Sequence, residues 1–342
     1  MKILIIKLGA MGDVLRTTPL LSALKRKHPS SKISWLVDAP CRTVLENNPL
    51  IDTLLTYSEE SLSKLKSAHF DWSINLDKEP EAVDAIMSVP SDRRMGFGRS
   101  REGKLCALDL LSDYAFRLGV DDELKFKQNK KTYQEISFEQ LGFQFRNEEY
   151  IFHTDPAKDL WARNHLKGLG VNFEEKNRPI IGLNTGSGNR FAGKRLPISK
   201  YLELIEQFSI RMNAVILILG GKDEIERNRE ITRLSNYPVI NTGSHSIHEF
   251  ASIVKTCDLV LSGDTTAMHI AIAVKVPIVA YFASTVAAEI ELYGRGRKVI
   301  SGISCSPCYK KICPIDEQCM KDMSSEELFR VSQELLESVA KC

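Results

Sequence analysis

No stretch of this 342-residue chain approaches the roughly 18 consecutive apolar residues that a membrane-spanning helix needs. The apolar run near the start, Ile3-Leu4-Ile5-Ile6, stops at Lys7. A secretory signal needs roughly 7–15 apolar residues, so the run reads as a buried strand. Charge of one sign is not in excess either: 46 Lys and Arg face 44 Asp and Glu, for a net charge of +2. That balance speaks against nucleic acid as a partner and against a polybasic membrane anchor. Low-complexity segments are missing, and neither a G-x-G-x-x-G fingerprint nor a P-loop occurs after the first strand. A cytoplasmic protein is expected, in which the eight cysteines are thiols or metal ligands rather than disulfides.

The chain is too long for one ordinary core, which predicts two domains. Short β-branched runs alternate with helical patterns nearly throughout. Strands are expected at 2–7, 32–37, 53–56 and 72–75, with a helix over 17–28, and again at 179–184, 214–219, 239–241, 259–261, 278–280 and 298–300. This alternation predicts an α/β protein with parallel sheets covered on both faces. The expected division is a first domain over 1–160, a connection over 161–178, a second domain over 179–323 and a final helix over 324–342. Ser324 and Glu327 fit a capping box at the start of that helix.

Two loops stand out. Gly9-Ala10-Met11-Gly12-Asp13 follows the first strand and opens a helix; Asp13 there is either a helix cap or a general base. Ser262-Gly263-Asp264-Thr265-Thr266 follows another strand and opens an apolar helix. The N–H groups at that helix start would face an anion, and Asp264 would take sugar hydroxyls. His269, about one turn on, is either a ligand contact or a packing histidine. Between these loops, Thr185-Gly186-Ser187 with the following Lys194 suits a pyrophosphate, and Gly221 with Glu224 suits a ribose or base. Solvated loops and ordinary strand–helix turns remain the alternatives for both.

Cys305, Cys308, Cys313 and Cys319 form a Cys-x2-Cys-x4-Cys-x5-Cys cluster. In a reducing compartment it reads as a tetrathiolate site for zinc or iron, or as four reduced thiols in a tight loop. The run 93–104 carries Arg93, Arg94, Arg99 and Arg101 between glycines, and is expected as a flexible loop able to take an anionic acceptor. A solvated loop is the alternative.

The ordered set Met1-Lys2-Ile3-Leu4-Ile5-Ile6-Lys7-Leu8-Gly9-Ala10-Met11-Gly12-Asp13-Val14-Leu15, Thr18-Pro19, Lys194-Arg195-Leu196-Pro197, Leu219-Gly220-Gly221 and Gly263-Asp264-Thr265-Thr266-Ala267-Met268-His269 resembles glycosyltransferase family 9, the lipopolysaccharide heptosyltransferases. The Cys-x2-Cys-Tyr-Lys-Lys-x-Cys-Pro stretch is similar to one found in many members. Leu196 stands where the family usually has tryptophan, and Thr266 where many members have glycine.

The resemblance implies a GT-B architecture, with two Rossmann-like domains facing a central cleft. It implies inverting transfer of heptose from ADP-heptose to a lipopolysaccharide or lipid A core, with no cofactor required for catalysis. Asp13 would be the base, and Lys194 would neutralise the departing diphosphate. Asp264, Thr265 and Thr266 would hold the donor. Work at the cytoplasmic face of the inner membrane, by peripheral association, would follow. A family 9 transferase with another acceptor or donor, such as a protein-heptosylating enzyme, is the nearest alternative. A nucleotide-sugar epimerase of the same plan and a binding or redox module built on the four cysteines are the others.

Overall fold

The structure is a computed structural model that describes residues 1–175, 177–187 and 193–339. The chain divides into two compact units. The first comprises Met1–His153 with Ala288–Glu291, and the second Thr154–Ala287 with the described residues from Leu292 onward.

The first unit runs β1 (Lys2–Ile6), α1 (Met11–Thr17), α2 (Pro19–Lys27), β2 (Lys32–Val37), β3 (Thr53–Thr56), α3 (Glu59–Lys66), β4 (Phe70–Asn75), α4 (Pro80–Ser88), β5 (Ser91–Arg99), β6 (Leu105–Ala107), α5 (Asp113–Arg117) and α6 (Tyr133–Gln140). Among the described residues its strands form one six-stranded sheet in the order β3-β2-β1-β4-β5-β6. All pairings are parallel except β5–β6. Ile3 to Ile6 are fully buried because the central strand of a parallel sheet is covered on both faces. Leu4, Ile6, Leu36, Phe70 and Ile86 form a core on one side of it.

The expected helix over 17–28 is found as α2, whose start is set by Pro19. Pro19 has no N–H to continue α1, so the chain turns at Thr18 and restarts as α2. The run expected as a flexible loop is mostly strand β5. Met95 and Phe97 are buried, and Gly96 is there for close approach rather than flexibility. Its φ is +91°, and a Cβ would overlap the Asn75 carbonyl of β4.

The second unit runs α7 (Pro156–Gly168), β7 (Ile180–Asn184), α8 (Ile198–Met212), β8 (Val215–Leu219), α9 (Ile225–Leu234), β9 (Ile240–Asn241), α10 (Ile247–Val254), β10 (Leu259–Gly263), α11 (Thr266–Ala273), β11 (Ile278–Phe282), β12 (Gly296–Ile300), α12 (Gln318–Lys321) and α13 (Ser325–Val339). Its described strands form a parallel six-stranded sheet in the order β12-β11-β10-β7-β8-β9. The stretch read from sequence as the connection carries the second half of α7, and the helix as a whole, from Pro156, falls in the second unit. This helix is tied to α10 in the second unit by Lys158–Glu249 at 2.7 Å and by Asp159 with Ser252 and Lys255. The Ser324 hydroxyl accepts the Glu327 N–H at 3.1 Å where α13 begins; positions 340–342 of the expected final helix lie outside the described residues.

Counted within each unit, both sheets have the strand order 3-2-1-4-5-6 of a Rossmann-like fold. In such sheets the order reverses beside the first strand, and ligands bind past the carboxyl ends of the strands there. The relevant loops follow β1 and β4 in the first unit, and β7 and β10 in the second.

Candidate active site

Asp13 sits in the first turn of α1, just past β1. Its Oδ2 accepts the Ala10 N–H at 3.3 Å, so it does help cap the helix. Its Oδ1 lies 2.7 Å from Arg16 Nη2, one turn on. Arg16 is largely buried. Its guanidinium stacks 4.0 Å from the Tyr133 ring centroid and lies 3.7 Å from Glu289 Oε2. Burial alone would lower the Arg16 pKa, but Asp13 and Glu289 together hold it above the usual value.

Beneath this network is a second buried pair. Lys7 Nζ donates to Asp77 Oδ1 at 2.6 Å, and Asp77 Oδ2 accepts the Leu8 N–H at 2.7 Å. Lys7 thus spans the β1–β4 switch point. Burial works against its charge, yet Asp13 and Asp77 raise its pKa overall. The Tyr133 hydroxyl meets the Thr17 hydroxyl at 2.8 Å, and burial pushes the Tyr133 pKa up.

In the second unit the loops after β7 and β10 meet. Lys194 Nζ lies 3.4 Å from Asp264 Oδ2, and His269 Nε2 lies 4.0 Å from Asp264 Oδ1. Thr265 caps α11, its hydroxyl accepting the Met268 N–H at 3.3 Å, and Thr266 is the first residue of that helix. Asn184, at the end of β7, ties the loops together. Its amide donates to the Ser262 hydroxyl and the Gly186 carbonyl at 3.0 Å, and to the Thr265 hydroxyl at 3.3 Å.

Thr185 is buried and hydrogen-bonded to Asn228. Gly186 lies against Glu224 so closely that a Cβ would overlap its carboxyl, while Glu224 Oε2 accepts the Gly221 N–H at 2.9 Å. Ser187 is half-buried beside them in sequence; Gly188, Asn189 and Arg190 of the same loop lie outside the described residues. The donor-binding candidates Thr185, Gly186, Gly221, Glu224, Asp264, Thr265, Thr266 and His269 therefore gather, with Lys194, past the carboxyl ends of β7, β8 and β10. Leu196, where tryptophan is usual, is fully buried.

The four arginines separate. The strand register sets Arg93 level with Trp72 and Ile3, at the amino ends of the strands. Arg94 donates to the Ile86 and Val89 carbonyls, which fastens β5 to α4. Arg99 closes β5 and Arg101 follows it in the hairpin, at the carboxyl end of that strand. Arg99 pairs with Asp84 at 2.8 Å, and Arg101 is exposed at the hairpin tip.

Cys305, Cys308 and Cys313 lie in an irregular segment and Cys319 in α12. Among the described residues no group of three or more His, Cys, Asp or Glu is arranged to hold a metal ion. Burial raises the Cys319 pKa to about 11, and Cys313, Cys305 and Cys308 add to the rise. Cys313 Sγ accepts the Glu317 N–H at 3.2 Å.

Arg16, Glu289 and the Lys7–Asp77 pair did not emerge from the sequence. Arg16 could have: it lies three residues after Asp13 on one helix, the spacing at which opposite charges meet. Glu289 and Asp77 come from distant segments, and no local pattern announces them.

Comparison with known proteins bears on this geometry. Glycosyltransferase family 9 (heptosyltransferase) matches residues 64–318. Lipooligosaccharide heptosyltransferase 2 of Campylobacter jejuni is 26% identical over 226 residues, 61% of this chain and 70% of that protein. Among solved structures, a glycosyl transferase family 9 protein of Veillonella parvula superposes with a TM-score of 0.77 at 20% identity, over 98% of this chain and 97% of its own. Escherichia coli ADP-heptose lps heptosyltransferase II does so with 0.70 at 16% identity, over 99% and 100%. The iron-containing dodecameric glycosyltransferase TibC of enterotoxigenic E. coli shares the fold at 0.56 and 11% identity, over 100% and 80%. The fold is thus the GT-B type, built from two Rossmann-like units, and the chain belongs to glycosyltransferase family 9, the heptosyltransferases.

Proposed function

We propose that this protein transfers heptose from ADP-heptose to a lipopolysaccharide core sugar, with inversion at the anomeric carbon. The observation that carries the reading is the meeting of Lys194, Asp264, Thr265 and the Gly186–Glu224 contact at one switch point. That set pairs a cation and a helix start for a diphosphate with carboxylates for sugar hydroxyls. The names of the C. jejuni and E. coli relatives support heptose and ADP as the donor's parts.

In this reading Asp13 takes the proton from an acceptor hydroxyl as its oxygen bonds to the anomeric carbon. The bond from that carbon to the diphosphate breaks, and its electron pair leaves with ADP. Lys194 neutralises the charge that develops on the departing phosphate, leaving Asp264 as it does so. Asp264 and Glu224 hold donor hydroxyls, and Thr265, Thr266 and His269 line the same loop. Base and charge compensation both come from side chains, so the step draws on no cofactor. Arg99 and Arg101, at the carboxyl end of β5, suit the anionic groups of a lipopolysaccharide or lipid A core. An acceptor of that kind places the work at the cytoplasmic face of the inner membrane, by peripheral association; no described helix is long and apolar enough to cross a membrane.

Four thiolates are a donor type suited to zinc or iron, although no group of them is arranged as a metal site among the described residues. If loaded, the ion would be structural, clamping the irregular segment to α12, and the name of TibC supports iron as one candidate.

The test is binding of ADP-, UDP- and GDP-sugars to the purified protein by calorimetry. Selective binding of ADP-heptose supports the donor assignment, and preference for a UDP- or GDP-sugar overturns it.

A further inference from the structure

We infer that Arg16 is the positioning residue for Asp13, and that Glu289 holds Arg16 in place. The inference rests on the reading of Asp13 as the base. Each oxygen of the Asp13 carboxylate has a partner: the Arg16 guanidinium at 2.7 Å on Oδ1 and the Ala10 N–H at 3.3 Å on Oδ2. A carboxylate held in this way keeps one orientation, and a base off by an ångström loses much of its effect.

Arg16 is itself over-determined. It carries the Tyr133 ring on its face, Glu289 at its edge, and its own carbonyl accepts the Gln134 amide at 3.0 Å. Glu289 belongs to the short segment 288–291 that joins the first unit from far along the chain, and its carbonyl accepts the Tyr133 N–H at 2.9 Å. So backbone and side chain of Glu289 both lock the group that locks Asp13. A buried guanidinium is costly to desolvate, and a helix cap alone would not need one.

The other titratable groups facing Asp13 and Arg16 are Lys7 on β1, Cys41 in the turn after β2, Asp77 after β4, Tyr133 on α6, and Tyr150. None is altered in the variants below, so they form a constant background.

Removing a positive charge beside Asp13 raises the pH at which it ionises. The acid limb of kcat/KM against pH should therefore move up by about 1 pH unit in Arg16→Gln, while Glu289→Gln, which frees the guanidinium, should lower kcat by a smaller factor than Arg16→Gln does. Lost positioning should also lower kcat in Arg16→Gln by about 10- to 100-fold, with the affinity for ADP unchanged by calorimetry. The assay uses the full chain, ADP-heptose and a de-acylated core acceptor. A limb that stays put in Arg16→Gln, or a wild-type kcat in both variants, overturns the inference. If Arg16→Gln does not fold, Arg16→Lys, which keeps the charge, decides it: a lowered kcat with the acid limb unmoved supports the inference, and wild-type kcat overturns it. Asp13→Asn separates the two claims. Wild-type turnover there defeats the base reading itself, whereas lost turnover with a stationary limb in Arg16→Gln defeats only the role of Arg16.

Discussion

Lys194 Nζ lies 3.4 Å from Asp264 Oδ2, and this contact joins the loop after β7 to the loop after β10. It holds a cation, largely shielded from water, at the switch point of the second sheet, where the proposed donor diphosphate would sit. Lys194→Ala should lower kcat by about 100-fold and weaken use of the ADP-sugar, while the KM for the acceptor stays the same. Initial rates with each substrate varied in turn check this. A raised acceptor KM with normal donor kinetics would contradict it.

Gly186 is expected to tolerate no side chain. A Cβ would overlap the Glu224 carboxyl, which must then leave the Gly221 N–H it accepts from. Gly186→Ala should reduce ADP affinity at least tenfold and cost about 1–3 kcal/mol of stability. Calorimetry with ADP and urea unfolding measure the two effects. Unchanged affinity in a folded variant would remove Glu224 from the donor site.

Lys78 gives a pH prediction. It is half-buried, donates to the Ala115 carbonyl at 2.8 Å, and lies 4.7 Å from the Phe97 ring centroid. Burial, with Lys125 nearby, lowers its pKa to about 8 from 10.5. Between those two values the unfolded chain binds more protons at this site than the folded one, so stability rises with pH there. The destabilisation is complete below pH 8, is at most about 3 kcal/mol, and vanishes above 10.5. Lys78→Met should therefore be stabilising near pH 7, by an amount that shrinks as pH climbs. Urea unfolding of both proteins from pH 7 to 10 tests the sign, and a difference independent of pH would refute it.

The cysteine cluster predicts bound metal in protein purified without chelator. Elemental analysis should find zinc or iron near one per chain, and changing Cys305, Cys308, Cys313 and Cys319 to Ser should abolish it and lower the melting temperature. Metal-free wild-type protein of the same melting temperature would leave the four as plain thiols.

The fold was legible because buried parallel strands are written as β-branched runs, and those at Lys2–Ile6, Ile180–Asn184 and Val215–Leu219 need no partner to be recognised. Strand β5 was not, because Arg93, Arg94, Gly96 and Gly98 look like a solvated loop until β4 lies beside them. Gly96 is required there by the Asn75 carbonyl, a neighbour that is distant in sequence. The site was legible to the same extent. Asp13, Lys194 and Asp264 each stand at a strand–helix junction, which has a local signature. Arg16 was within reach through its spacing from Asp13. Glu289 and Asp77 act through contacts that only the tertiary structure makes, and so does the confinement of Arg94 to backbone carbonyls.

The central claim is that Asp13 deprotonates the acceptor in a transfer from ADP-heptose. It is tested most directly by following ADP release and product formation with ADP-heptose and a de-acylated lipopolysaccharide core, for wild type and Asp13→Asn. The account predicts an inverted glycoside from the wild type, and from the variant a loss of at least about 100-fold in turnover with ADP-heptose binding intact. Turnover near the wild-type rate by a variant that binds the donor normally would contradict it.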